Sequence, residues 1–192
     1  RLRARFGVFI VPGNHDYRDV GIERWHDAVA RRVQLANLTN AARIVRLGTE
    51  PLDEVRLCIA GVDDLSHGSP RLDLLPPHTA RDFTILLAHH PDQAEHVRRA
   101  EDDIDLVLSG HTHGGQVRLP FVGAVLNSAG HPDLYEVGVR RRPWTQVYTS
   151  RGIGTTHLPI RFLAPPEIAI LELTGASRPQ RWPMRSRQRG TP

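Results

Sequence analysis

Three short stretches of this chain gather side chains that bind metals or move protons: Asn14-His15-Asp16, His89-His90-Pro91-Asp92 and His111-Thr112-His113-Gly114-Gly115. The third is the densest. It follows an apolar run, Ile104-Asp105-Leu106-Val107-Leu108, that reads as a buried strand bounded by turn residues. Extended backbone sends side chains i and i+2 to one face, which places the Cβ atoms of His111 and His113 roughly 6–7 Å apart. Two metal ions about 3.5–4 Å apart, each about 2.0–2.1 Å from an imidazole nitrogen, fit between such a pair. Glycines at 110, 114 and 115 lack a Cβ and let backbone N–H groups come close to an anion, so Gly114 and Gly115 are candidate phosphate contacts.

The elements that must position these groups are legible as apolar runs. Gly7 to Val11 reads as a buried strand ended by Pro12-Gly13, and it delivers Asn14 and His15. Ile22, Trp25, Ala28, Val29, Ala30 and Val33 recur at helical spacing, predicting an amphipathic helix from Gly21 to Leu35. Strands are predicted over 42–47 and 55–60, and again over 83–88, which leads into His89 and His90. Asp92 is placed to cap a short helix, Gln93 to Ala100. Beyond Gln116 the pattern becomes short strands at 117–119, 146–149 and 167–173, with 121–142 mostly loop. Strands of one sheet that carry ligands at the same edge converge on one site. Neutral imidazoles and an amide oxygen suit Mn, Fe, Co, Ni or Zn better than Ca.

Composition bounds the reading. The 192 residues are 40% hydrophobic and 24% charged, enough for one globular domain with a sizeable core. No run of about 18 apolar residues occurs. The single cysteine, Cys58, lies in an apolar run and reads as a small buried hydrophobe. The net charge of +4 comes from the carboxyl-terminal end: all 25 basic residues are arginine, and Arg178, Arg181, Arg185, Arg187 and Arg189 fall after residue 175. The remainder holds 20 arginines against 21 acids, a net of −1. The body is therefore not basic and no specific nucleic-acid partner is expected. The domain is read as residues 1–175, followed by a disordered Arg-rich tail, 176–192, able to make a weak electrostatic membrane contact.

Pro12-Gly13-Asn14-His15-Asp16, Ala88-His89-His90-Pro91 and Ser109-Gly110-His111-Thr112-His113-Gly114-Gly115-Gln116 resemble, in order, the last three signature blocks of the calcineurin-like metallophosphoesterases. Arg151-Gly152-Ile153-Gly154, Leu158-Pro159-Ile160-Arg161-Phe162 and Pro166-Glu167-Ile168 are similar to a bacterial branch of predicted phosphodiesterases. The resemblance implies a four-layer α/β/β/α sandwich and a two-metal phosphodiesterase or phosphatase acting on a small-molecule or lipid-linked phosphoester. It implies that Asn14, His89 and His111 bind one metal, that His113 reaches the other, and that His15 stands beside the phosphate as general acid for the leaving oxygen or as a cation stabilising the transition state. Asp16 is expected to support the loop that carries Asn14, and His90 to support these ligands from behind or to be exposed.

The family's upstream blocks, Asp-x-His and Gly-Asp-x-x-Asp, are absent, and with them two aspartates of the first metal. The resemblance therefore implies a carboxyl-terminal part of the fold, without its amino-terminal strands. It is expected to hold at most one metal and to hydrolyse little, since neutral ligands leave a pair of divalent ions uncompensated. Asp16, Asp64 and Asp92 are the nearby carboxylates. Two other readings compete: a non-catalytic metal-binding or interaction module, and a mononuclear zinc hydrolase using His89, His111 and His113 with His15 as base. His26, His67, His78, His96, His131 and His157 are expected on the surface or in loops, with His131 and His157 candidates for the substrate pocket. Localisation is left open.

Overall fold

The computed structural model describes residues 3–32, 35–48, 54–76, 82–100, 104–125 and 129–174. His78 and the Arg-rich tail lie outside them. The centre is a six-stranded sheet, built from β3 (Ala41–Leu47), β4 (Val55–Gly61), β5 (Phe83–Leu87), β6 (Leu106–Ser109), β10 (Gln146–Thr149) and β9 (Gly138–Arg141), in the order β3-β4-β5-β6-β10-β9. Strands β4, β5, β6 and β10 run parallel, and β3 and β9 close the edges antiparallel. A second sheet pairs β1 (Val8–Ile10) with β2 (Leu35–Asn37) in parallel.

Period-two alternation along the central strands decides what packs where. Leu86, Val107 and Val147 are fully buried and face one way, joining Ala94 and Val97 of helix α2 (Gln93–Ala100) and Tyr135 of the short helix α3 (Pro132–Tyr135). Their neighbours Leu87, Leu108 and Tyr148 face the other way, across a groove of about 390 Å³ from Phe9, Ile10 and Val11 of the small sheet. Helix α1 (Ile22–Ala30) buries Trp25 and Val29 and packs on β2, with His26 bonded to Asn37. The layers are thus helix, two-stranded sheet, six-stranded sheet, helices, which is the α/β architecture the sequence implied. Cys58 is buried, and no described helix is long and apolar enough to cross a membrane.

Four expectations need correction. The helix from Gly21 stops at Ala30, Val33 lies outside the described residues, and Leu35–Asn37 is a strand that gains ladder bonds with β1. The span 121–142 is not mostly loop: it holds β8 (Gly123–Ala124), α3 and β9. β9 reads Gly-Val-Arg-Arg with an exposed face, so it shows no apolar alternation and exists because β10 offers an edge. Residues 167–173 form no strand. Their alternation is present, with Ala169 and Leu171 lining the groove and Ile168 and Ile170 83% and 95% exposed, but no described residues supply a ladder partner. Asp92 does not cap α2 with its side chain. Its carboxylate accepts from Gly130 N–H at 2.8 Å, His131 N–H at 2.9 Å and the His131 ring at 2.7 Å, and so ties down the loop before α3.

Candidate metal centre

The carboxyl ends of β1, β5 and β6 deliver Asn14, His89, His90 and His111 to one place. His89 Nε2 lies 2.9 Å from Asn14 Oδ1 and 3.2 Å from His111 Nδ1. Gly13 makes this approach possible: a Cβ there would sit 2.7 Å from three atoms of the His89 ring, so only glycine lets the loop after β1 lie against the imidazole. Burial, together with His111 and His90 alongside, pushes the His89 ring down to about 3, and its nitrogen stays an unprotonated donor at neutral pH.

His90 is drawn in rather than exposed. Its ring stacks 3.7 Å from that of His111, and its Nε2 lies 3.2 Å from Asp64 Oδ2 and 3.2 Å from Ser66 Oγ. Asp64 is wholly buried, and its Oδ1 accepts from Ser66 N–H, the Ser66 hydroxyl and His67 N–H. Burial by itself would raise this carboxyl, but the contacts with His90 and Ser66 hold it well below the usual carboxylate range. His89, His90 and His111 each offer a nitrogen within 4.8 Å of the others'.

His113 stands apart from this cluster. His111 (φ 66°) and His113 (φ 52°) both take left-handed backbone, and His113–Gly115 is a single 3₁₀ turn. The i, i+2 geometry of an extended strand therefore does not apply. The His113 Nδ1 lies 3.3 Å from the Gly154 carbonyl oxygen; a proton on that nitrogen leaves Nε2 as the donor. Burial lowers the His113 ring as well, helped by the Arg161 charge. Arg161, a residue the sequence reading left without a role, donates to the carbonyls of His113, Ala164, Arg151, Gly152 and Gly154. One guanidinium thus pins the glycine loop 151–154 against the His113 turn.

The two glycines predicted to meet phosphate spend their N–H groups inside the turn, Gly114 on Thr112 Oγ1 and Gly115 on the Thr112 carbonyl. Gly114 is needed for another reason: at φ 60°, a Cβ would lie 2.7 Å from the Arg151 side chain. His15 sits at the open edge, Nδ1 2.5 Å from Asp19 and Nε2 3.3 Å from Thr156 Oγ1. Asp16 Oδ2 accepts from Gly13 N–H at 2.8 Å and so closes the loop that carries Asn14. His157 is exposed on the loop beyond Thr156, and His131 is bound to Asp92.

A family model for the calcineurin-like phosphoesterases matches residues 2–115. The chain belongs to this family. It is 37% identical over 177 residues to a metallophosphoesterase of unknown role, YkuE, from Bacillus subtilis, covering 90% of this chain and 58% of that protein. It is 35% identical over 185 residues to a bovine transmembrane protein with a metallophosphoesterase domain, covering 92% of this chain and 40% of the other. Escherichia coli phosphodiesterase YaeI is 32% identical over 170 residues, 86% of this chain and 58% of its own length. The chain thus spans about half the length of these curated relatives. Metal-dependent phosphoester hydrolysis is the family's general chemistry.

The donor set fits a metal. Two donors about 2.1 Å from one ion with angles near 90–100° stand roughly 3.0–3.2 Å apart, which matches the spacing of His89 Nε2 from Asn14 and His111. All three are neutral, and the described cluster contains no carboxylate.

Proposed function

We propose that this protein is a metal-dependent phosphodiesterase or phosphatase whose described donors, Asn14 Oδ1, His89 Nε2 and His111 Nδ1, hold one divalent ion, with His113 Nε2 available to a second. The convergence of those three donors from β1, β5 and β6 carries the reading. A bound divalent ion would supply Lewis-acid polarisation of a phosphoryl oxygen and acidify water at neutral pH. The chain's own contribution is positional and protonic. Asp64 and His90 back the cluster, and Asp16 holds the Asn14 loop. His15, oriented by Asp19 at Nδ1 and Thr156 at Nε2, is the proton donor for the leaving oxygen, an effect worth about 10²–10⁴-fold. With neutral donors alone, binding is weak and turnover of this chain is slow, because no carboxylate among the proposed donors offsets the ion's charge.

The test is metal content of the purified chain by mass spectrometry, alongside hydrolysis of bis(p-nitrophenyl) phosphate with added Mn²⁺. One weakly held ion, lost in His111→Ala, with slow hydrolysis lost in the same variant, is the expected outcome. Hydrolysis unchanged in His111→Ala removes the site assignment, and two tightly held ions with rapid turnover refute the charge argument.

A further inference from the structure

We infer that the lobe beside the metal centre is a surface that docks on a phospholipid bilayer by inserting apolar side chains. The lobe consists of the hairpin β7 (Arg118–Leu119) to β8 and the loop 156–163. The two are bolted together: Phe162 exchanges backbone hydrogen bonds with Gln116 and Arg118, and the Gln116 amide binds Thr156 and Leu158. Thr156 in turn touches His15, so the lobe forms one wall of the site's opening.

Its surface is apolar where a turn is ordinarily polar. The hairpin tip is Pro120-Phe121-Val122-Gly123, closed by Val122 N–H on the Leu119 carbonyl. Phe121 occupies the third position of that turn at φ 65°, a place usually taken by glycine or asparagine. Its side chain is fully exposed and Val122 is 73% exposed. A bulky aromatic thus bears left-handed backbone strain and gains no burial, a combination that marks functional segments. Leu119, Leu158, Ile160 and Leu163 are exposed in the same lobe.

Charge identifies the occupant. Within residues 116–125 and 152–166 the arginines are Arg118, which pairs with Glu136 and donates to Gly114 O, and Arg161, satisfied by carbonyls. The exposed face therefore presents apolar side chains and no unpaired arginine or carboxylate among the described residues. A protein partner of ordinary interface size asks for a flat patch with hydrogen-bonding groups at its rim. A projecting apolar tip whose neighbouring arginines are already paired suits the headgroup–acyl boundary, where apolar side chains sink about 5–10 Å.

The experiment is Phe121→Trp fluorescence with phosphatidylcholine vesicles, read against the unsubstituted chain, with brominated phosphatidylcholine as quencher. A blue shift, bromine quenching, and binding that persists in 0.5 M NaCl are expected. Phe121→Ser/Val122→Ser should lower vesicle co-sedimentation by about tenfold or more. Unmoved emission, co-sedimentation equal to the unsubstituted chain in the double variant, or binding abolished by salt overturns the proposal. So does Phe121-dependent self-association without lipid, which would make the occupant a second copy.

Discussion

The buried, unprotonated state of His89 makes an acid-stability prediction whose size follows from the structure. The ring falls from an ordinary 6.5 to about 3 in the fold, first through burial and then through His111 and His90. Between those values the unfolded chain binds a proton that the native chain does not. Stability must therefore rise with pH across the window and be lost as pH drops below 6.5. Each pH unit is worth about 1.4 kcal/mol for one such group, so acidification to pH 4 costs roughly 3 kcal/mol, a large part of the 5–15 kcal/mol typical of a domain. His113, lowered for the same first reason, adds in the same sense. The assay is urea unfolding in EDTA at pH 7, 6, 5 and 4 for the unsubstituted chain and for His89→Gln, which cannot take up the proton. The variant should show the shallower pH slope, whatever its stability at pH 7. Parallel losses in the two proteins would refute the reasoning.

Two further substitutions probe the shell around the cluster. Asp64→Asn keeps the shape but removes the buried charge facing His90, and should cost about 2–3 kcal/mol at pH 7, read as a thermal midpoint lowered by several degrees. Because the Asp64 carboxyl is held below 3.8, its contribution is present above that pH and fades below it, so the two melting curves should converge in acid; a constant gap would count against the assignment. Gly13→Ala drives a methyl group into the His89 ring and should weaken Co²⁺ or Mn²⁺ binding by about tenfold while leaving most of the far-UV dichroism intact, whereas unchanged affinity would show that His89 is not a ligand.

The strands that carry the site were legible because each is an apolar run ending in polar residues, and in β5 and β6 that run is nearly continuous, which suffices to specify them. The same clarity gave Asn14, His15, His89 and His111 as candidates, since their position at strand ends follows from chain order. Elements defined by a neighbour were not legible. β2 and β9 lack apolar alternation and exist because β1 and β10 present edges, while 167–173 has the alternation and no described ladder to join. The mutual placement of the histidines was also out of reach, because it depends on backbone torsions set from a distance. Arg161 and Thr112 hold the His113 turn in left-handed backbone, and that separates His113 from the cluster to which extended geometry would have assigned it. His90 enters the cluster because Asp64, from a different strand exit, turns it inward. Residue type and order determined which candidate donors this chain offers; long-range contacts between groups far apart in sequence decided how those donors face one another.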